Sequence, residues 1–153
     1  MDREFSDEDM EAFLMATAER QDLGLWDEGV AAMSGPKQTF VLIWDLDNEV
    51  HNGGFRQYAW NSSGEGVPYV IEALKQIEAH NNLRIVQQAL DLIGETDWAD
   101  EETRRAHVDE LSEAVEAQLD ALDQAYYRWE DNHTRLLFRY VMNNIGAFPP
   151  PQA

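Results

Sequence analysis

Apolar side chains recur every three or four residues along most of the chain, which is the spacing of one face of an α-helix. Near the N-terminus this face consists of Met10, Phe13, Leu14 and Thr17. Ser6 and Asp9 precede it with the spacing of a capping box, in which two residues exchange side-chain-to-backbone hydrogen bonds at a helix start. No stretch of alternating polarity predicts a strand. The pattern therefore predicts an all-α fold, a compact single-domain bundle of about six to eight helices.

Glycine and proline divide the middle of the chain. Pro36 suits the first turn of a helix. This helix is predicted to stop at Asn52-Gly53-Gly54, where a glycine can take the left-handed conformation that ends helices, and a short helix from Phe55 to Asn61 follows. Further breaks are predicted at the loop 62–68, at residues 80–82 and at Gly94.

The last third has the most regular apolar spacing and would fit one helix of roughly forty residues. Because helices in globular domains average about 11 residues, we expect breaks near Leu119–Asp123 and near Asp131–His133. The Pro-rich residues 148–153 are predicted to be an extended, mobile tail, which leaves residues 1–147 as the domain. The heptad-like spacing of this third would also suit the seam of a homodimer.

The charge balance changes this picture most. Thirty Asp and Glu stand against eleven Lys and Arg, which gives a formal net charge of −19. Phosphates would be repelled, so direct nucleic-acid binding is not expected, whereas a basic protein partner is favoured. Enhanced solubility is the plainer explanation of the same charge. Cysteines, a membrane-length apolar run and a signal-peptide pattern are all absent, so a soluble, cytoplasmic protein is expected.

A row of carboxylates in the last third is the candidate partner-binding surface. Its members are Glu102, Asp109, Glu113, Glu116, Asp120 and Asp123. On one continuous helix the last five would share an edge and advance about 5 Å per carboxylate. One DNA strand carries a phosphate about every 3.4 Å, so this edge would present negative charge at a comparable spacing to a basic, DNA-binding partner. A solvated helix face is the alternative.

Motifs for catalysis, for a metal ion or for a cofactor are weak. Two pairs have helix-face spacing: Asp47 with His51, and Glu130 with His133. Di-iron bundles need two Glu-x-x-His pairs and further Glu ligands, so no metal site is predicted. Asp45, Asp47 and Glu49 are spaced by two residues, which places neighbours on different sides of a helix and prevents a converging carboxylate pair.

The segment 44–66 combines glycines, aromatic residues and amides in a distinctive way. The motif residues are Glu49, Asn52, Gly53, Gly54, Phe55, Gln57, Tyr58 and Asn61. This pattern resembles a bacterial family of small all-helical proteins long described only as a domain of unknown function, and the resemblance is strongest over residues 37–145. The best-known member is an acidic DNA mimic that keeps a transcription factor from its operator. The resemblance implies an all-α fold, no known catalysis, no cofactor and dimers among members.

The favoured interpretation is a non-enzymatic acidic binding protein, a DNA mimic that competes with DNA for a DNA-binding protein or transcription factor. An immunity or antitoxin-type protein for a basic partner is one alternative. Another is an enzyme whose small cleft holds Glu49, Gln57 and Asn61 beside a group of shifted pKa. The architectural interpretation instead places Phe55 and Tyr58 in the core and bonds those three polar side chains to the backbone of the corner.

Overall fold

The computed structural model describes residues 4–150, and these form seven α-helices, three short 3-10 helices and no β-strand. The α-helices are α1 Asp7–Glu19, α2 Gly35–Trp60, α3 Val67–Gln76, α4 His80–Ile93, α5 Glu101–Asp109, α6 Glu113–Tyr127 and α7 His133–Asn143. The 3-10 helices are Val30–Ala32, Ser62–Gly66 and Ile145–Ala147. The predicted all-α, compact single-domain fold is confirmed. None of the helices in residues 4–150 has the length and apolar character needed to cross a membrane.

Helix α2 is the centre of the bundle, because it contacts α3, α5, α6 and α7. Its apolar stripe is fully enclosed, with Phe40, Ile43, Leu46 and Val50 each at 0% exposure. Burying a side chain of this kind contributes about 1.5–3 kcal/mol relative to leaving it in water. The remaining helices pack pairwise around it, α1 on α7, α3 on α4 and α4 on α6.

Local signals set several helix ends as predicted. The Ser6 hydroxyl accepts the N–H of Asp9 at 3.1 Å, and the Asp9 carboxylate accepts the N–H of Ser6 at 3.3 Å, which completes the predicted capping box. Pro36 lies in the first turn of α2, and Gly94 ends α4 with a φ of 83°. These ends are confirmed because each depends on one or two neighbouring residues.

Two predicted breaks are wrong. Residues 119–123 lie inside α6, and the chain breaks instead at 110–112, where the Ser112 hydroxyl caps α6 by accepting the N–H of Val115. Residues 80–82 do not interrupt a helix, since they begin α4, and the preceding turn contains Glu78 at a φ of 64°. The predicted break near 131–133 is confirmed, because α6 ends at Tyr127 and α7 begins at His133.

The first two residues of the predicted tail, Phe148 and Pro149, contact the helical domain. Phe148 is 2% exposed, and its ring lies 5.8 Å from that of Phe40. The carbonyl of Pro149 accepts a hydrogen bond from Arg20. The expectation of a mobile tail is therefore wrong at Phe148, because its ring fills a place in the core, and residues 151–153 lie outside the described part of the chain.

Helix α2 is interrupted at the two glycines, as predicted. Gly53 has a φ of −157° and a ψ of 15°, and Gly54 has a φ of 80° and a ψ of −179°. The conformation of Gly54 is not the left-handed helical one expected at a helix end, because its ψ is extended, and this region is essentially restricted to glycine. The helix resumes at Phe55 and continues to Trp60, so the chain bends without leaving the bundle.

Replacing Gly54 with alanine tests this constraint. A Cβ at position 54 would lie 2.3 Å from the Asp123 carboxylate in addition to the unfavourable backbone. We expect Gly54→Ala to lower the free energy of unfolding by about 3 kcal/mol in urea denaturation. Gly35→Ala is the matched control, because Gly35 has a φ of 68° but nothing within 4 Å of the added Cβ, and it should cost only about 1 kcal/mol. Equal losses in the two variants would contradict the role given to the Asp123 contact.

Candidate functional site

The bend in α2 is held by a carboxylate from another helix. Phe55 begins the resumed helix, so its N–H lacks an intrahelical acceptor. The Asp123 Oδ1 on α6 accepts this N–H at 2.8 Å. Burial raises the pKa of Asp123, although the hydrogen bond from Phe55 acts in the opposite direction. Asp123, predicted as a partner contact, therefore also has an internal role that sequence spacing did not reveal.

Glu49 connects the two halves of α2 across the bend. Its Oε2 accepts one hydrogen bond from the Gln57 amide and one from the Asn61 amide, both at 2.8 Å. The Gln57 side chain folds over Gly53, where a Cβ would lie 1.8 Å from the Gln57 Oε1. The three polar residues converge, but the expectation that they bond to the backbone is wrong, because they satisfy one another instead. Phe55 is 0% exposed, and so the predicted place of this residue in the core is confirmed.

A second buried network joins four helices around His133. The His133 Nδ1 lies 2.6 Å from the Asp47 Oδ1, and the Tyr126 hydroxyl donates to the same oxygen. The His133 Nε2 faces the Asn82 amide at 3.0 Å. Burial, with the charge of Asp47 next, raises the pKa of Tyr126 well above its ordinary value. The chain thus uses Asp47 and His133 to connect α2 with α7.

From the two pairs suggested by helix-face spacing, the Asp47 carboxylate and the His133 imidazole pair with each other instead, across helices. Asp47 bonds to His133, which is 0% exposed, while the His51 Nδ1 bonds to the backbone oxygen of Asp47 at 2.7 Å. An open pocket of about 720 Å³ adjoins them and is lined by Glu49, Trp44 and Trp129 among others, but not by Gln57 or Asn61. In residues 4–150 no three His, Asp or Glu side chains are arranged to hold a metal ion.

The six predicted partner contacts, hereafter the acidic surface, lie on two helices and not on one. Glu102 and Asp109 belong to α5, and the other four belong to α6. The prediction of a single continuous helix edge is therefore wrong, because the Ser112 cap starts a new helix between them. Within α6, Glu113, Glu116 and Asp120 retain the predicted steps of three and four residues that place them on one face.

Arg56 brings the two acidic edges together. Its guanidinium lies 3.0 Å from Asp109 on α5 and 3.2 Å from Glu116 on α6. All three side chains are about half exposed, so the pairs contribute only about 0–1 kcal/mol of stability. Sequence reasoning missed Arg56 because its partners are 53 and 60 residues away.

Three members of the acidic surface carry unpaired charge. Glu102, Glu113 and Asp120 are exposed, and the part of the chain that the structure describes offers none of them an ion-pair partner. Residues 91–123 contain twelve Asp and Glu against two Arg. The surface therefore presents strong negative charge, and what it can do chemically is attract and bind positive groups.

The three carboxylates near the middle of α2 do not converge, as predicted. Asp47 bonds to His133, and Glu49 accepts a hydrogen bond from Gln57 across the bend. Asp45 lines a different pocket beside Tyr58. Burial, followed by repulsion from Glu49, raises the pKa of Asp45 to about 7.

Asp45 should make stability depend on pH. Its folded pKa of about 7 exceeds its ordinary 3.8, so the folded state holds the proton more tightly, and stability falls as pH rises between these values. At pH 8 the Asp45→Asn variant should exceed the parent by about 2 kcal/mol, below the upper bound of about 4 kcal/mol for such a shift because Asp45 is partly exposed. The gain should shrink towards pH 4.

Urea unfolding across pH 4–8 measures this gain, with Asp91→Asn as the control because Asp91 is exposed on α4. An Asp45→Asn gain that is independent of pH, or one matched by Asp91→Asn, would contradict the assignment to Asp45.

Comparison with known proteins places the chain in a family. The model of the family described as DMP19-like protein matches residues 31–144, which is most of the chain and includes α2 to α7 with the bend. No curated protein and no solved structure matches the sequence. The match agrees with the resemblance inferred over residues 37–145, and the chain belongs to the DMP19-like family.

Proposed function

We propose that this protein is a non-enzymatic acidic binding protein, a DNA mimic that competes with DNA for a basic DNA-binding protein. Membership of a DNA-mimic family supports this proposal. The observation that carries it is the concentration of twelve Asp and Glu against two Arg in residues 91–123. A DNA-binding partner, a transcription factor for example, has a basic face shaped for phosphates, and this acidic region offers that face an alternative ligand.

The two arginines within this region leave its charge largely uncompensated towards a partner. Arg104 is 1% exposed and donates to the backbone oxygen of Trp98. Arg105 lies over the Trp60 ring at 4.0 Å and pairs with Glu101 at 2.7 Å. Both guanidiniums are thus engaged within the fold, and Glu102, Glu113 and Asp120 are the primary contacts in this proposal.

The other three members act differently. Asp109 and Glu116 share Arg56, so a basic side chain of the partner would replace Arg56 between them. Asp123 keeps its hydrogen bond to Phe55 and adds negative potential at the edge of the surface. Complementary fields speed encounter and weaken as salt screens them, so binding should be strong at low ionic strength and fall steeply with salt.

A charge-matched pair of variants tests the surface. The protein is immobilised, cytosol from its own source is applied at low salt, and retained proteins are identified and then purified for affinity measurement. We expect a DNA-binding protein that elutes as salt is raised. The triple variant Glu102→Gln/Glu113→Gln/Asp120→Asn should bind it roughly tenfold to a hundredfold more weakly, since each exposed charge pair is worth about 0.5–1 kcal/mol.

The control variant Glu19→Gln/Glu72→Gln/Glu130→Gln removes the same charge from exposed positions outside α5 and α6. It should bind nearly as well as the parent. Equal weakening by both triple variants would show that only net charge matters and would reject the surface. Failure to retain any DNA-binding protein would reject the mimic itself, and retention of a basic toxin domain would favour the immunity alternative.

A variant of Arg56 is expected to bind the partner more tightly, in contrast to the triple variant of the acidic surface. If a partner's basic group takes the place of Arg56, the Arg56→Gln variant frees Asp109 and Glu116 and should bind the same partner about threefold more tightly. Isothermal titration at low salt measures this change. Weaker binding by Arg56→Gln would indicate that Arg56 itself contacts the partner or sets the shape of the surface.

A further inference from the structure

A second pocket lies between α2, the 3-10 helix Ser62–Gly66 and the segment before α2, and it has a volume of about 330 Å³. Tyr58 lines this pocket and is 1% exposed. Its hydroxyl has no hydrogen-bond partner among the residues that the structure describes. A buried hydroxyl without a partner costs about 1–3 kcal/mol, so native proteins retain few of them. An unpaired hydroxyl that lines a pocket is a group positioned to meet a ligand.

Carboxylates and two serine hydroxyls, of Ser62 and Ser63, are the other polar side-chain groups of the pocket, and the Ser63 hydroxyl already donates to the Tyr58 carbonyl. Asp45 lines it from the part of α2 before the bend, whereas Tyr58 lies after the bend, and Glu65 lines it from the Ser62–Gly66 helix. Asp27 and Glu28 add exposed carboxylates from the segment before α2. Neither Asp45 nor Glu65 forms an ion pair within residues 4–150. The pocket therefore offers hydrogen-bond acceptors and negative charge, and it would repel an anion.

Burial and nearby negative charge disfavour the ionised forms of Tyr58 and Asp45. Burial raises the pKa of Tyr58, and the charge of Asp45 raises it further. The pKa of Asp45 is itself raised, first by burial and then by the charge of Glu49. A bound cation would relieve this repulsion and compensate the desolvation of the Asp45 carboxylate.

Apolar side chains form the remaining wall. Leu25, Leu42 and Val30 line the pocket, together with Trp26, whose indole is fixed by a hydrogen bond to the Ala18 carbonyl at 2.8 Å. Trp26 is 47% exposed, which is unusual for so large an apolar side chain and places part of its ring at the solvent side. This wall suits a short alkyl chain that leads from solvent to the acceptors.

An ammonium group matches these acceptors best. It is a compact cation with three donors and no acceptor, whereas a guanidinium is a planar fork that favours a bidentate carboxylate. We propose that this pocket binds a primary alkylammonium group, which donates to the Tyr58 hydroxyl oxygen and the Asp45 carboxylate while its alkyl chain lies along Trp26 and Val30. The site shares no residue with the acidic surface, so it stands or falls independently of the proposed DNA mimicry.

The experiment is a titration with n-butylamine, followed by the NMR signals of the Trp26 indole N–H and the Tyr58 backbone amide. We expect saturable shifts with n-butylamine, weaker effects with n-butylguanidine and none with n-butanol. Nα-acetyl-lysine-N-methylamide, which keeps a free ε-ammonium group, distinguishes the two sources of this chemistry. Its binding would indicate that the natural ligand is a lysine side chain of a protein, and its exclusion would indicate a free small amine.

Two variants and a control locate the site. Tyr58→Phe and Asp45→Asn should each weaken n-butylamine binding about tenfold, the loss expected for one charge-assisted hydrogen bond. Asp91→Asn, an exposed change of the same charge on α4, should leave binding unchanged. Tyr58→Phe should also unfold no more readily than the parent, since within residues 4–150 no group forms a hydrogen bond with its hydroxyl.

Three outcomes would overturn the proposal. The first is the absence of saturable shifts with n-butylamine. The second is a Tyr58→Phe variant that is as stable as the parent and binds n-butylamine equally well. The third is tighter binding of n-butylguanidine or n-butanol than of n-butylamine, which would show that the pocket prefers a ligand of another chemical class.

Discussion

The hydrogen bond from the Phe55 N–H to the Asp123 carboxylate is the contact on which the arrangement of this bundle depends. Helix α2 must bend at Gly53–Gly54 if both of its halves are to bury their apolar faces, and the bend leaves the Phe55 N–H without an acceptor inside the helix. Asp123 supplies that acceptor and so fixes α6 against α2. Because α6 carries four of the six residues of the acidic surface, the same bond positions the surface as well.

The Asp and Glu side chains discussed above fall into two groups: some accept hydrogen bonds within the bundle, and others are exposed on its surface. Glu49 and Asp47 are acceptors within the bundle, where amides, a phenol and an imidazole satisfy them. Glu102, Glu113 and Asp120 stay exposed, where each like-charged neighbour on a helix costs a few tenths of a kcal/mol. Unpaired exposed carboxylates of this kind do little for the fold. Their concentration on α5 and α6 is the basis of the proposed positively charged partner, and Arg56 pairs with part of that charge in the fold.

Features set by neighbouring residues could be predicted from the sequence, and features set by distant contacts could not. The capping box at Ser6 and the interruption at Gly53–Gly54 each depend on a few adjacent residues, and both were predicted. The start of α6 was missed because the apolar spacing continues across Ser112, although its cap is itself a local signal. The contact between Asp47 and His133 joins residues 86 positions apart in the sequence. The spacing of apolar residues within a helix carries no information about a contact at that separation. The same reason explains the internal role of Asp123.

The most direct test of DNA mimicry follows the DNA itself. A fluorescently labelled duplex is bound by the purified DNA-binding partner, this protein is added at low salt, and the anisotropy of the label is recorded. Mutually exclusive binding predicts that the anisotropy falls to the value of free DNA as this protein saturates the partner, and that the fall disappears when salt is raised. An anisotropy that stays constant or rises while this protein binds the partner would mean that both ligands are held at once, and the account of the acidic surface as a DNA substitute would be wrong.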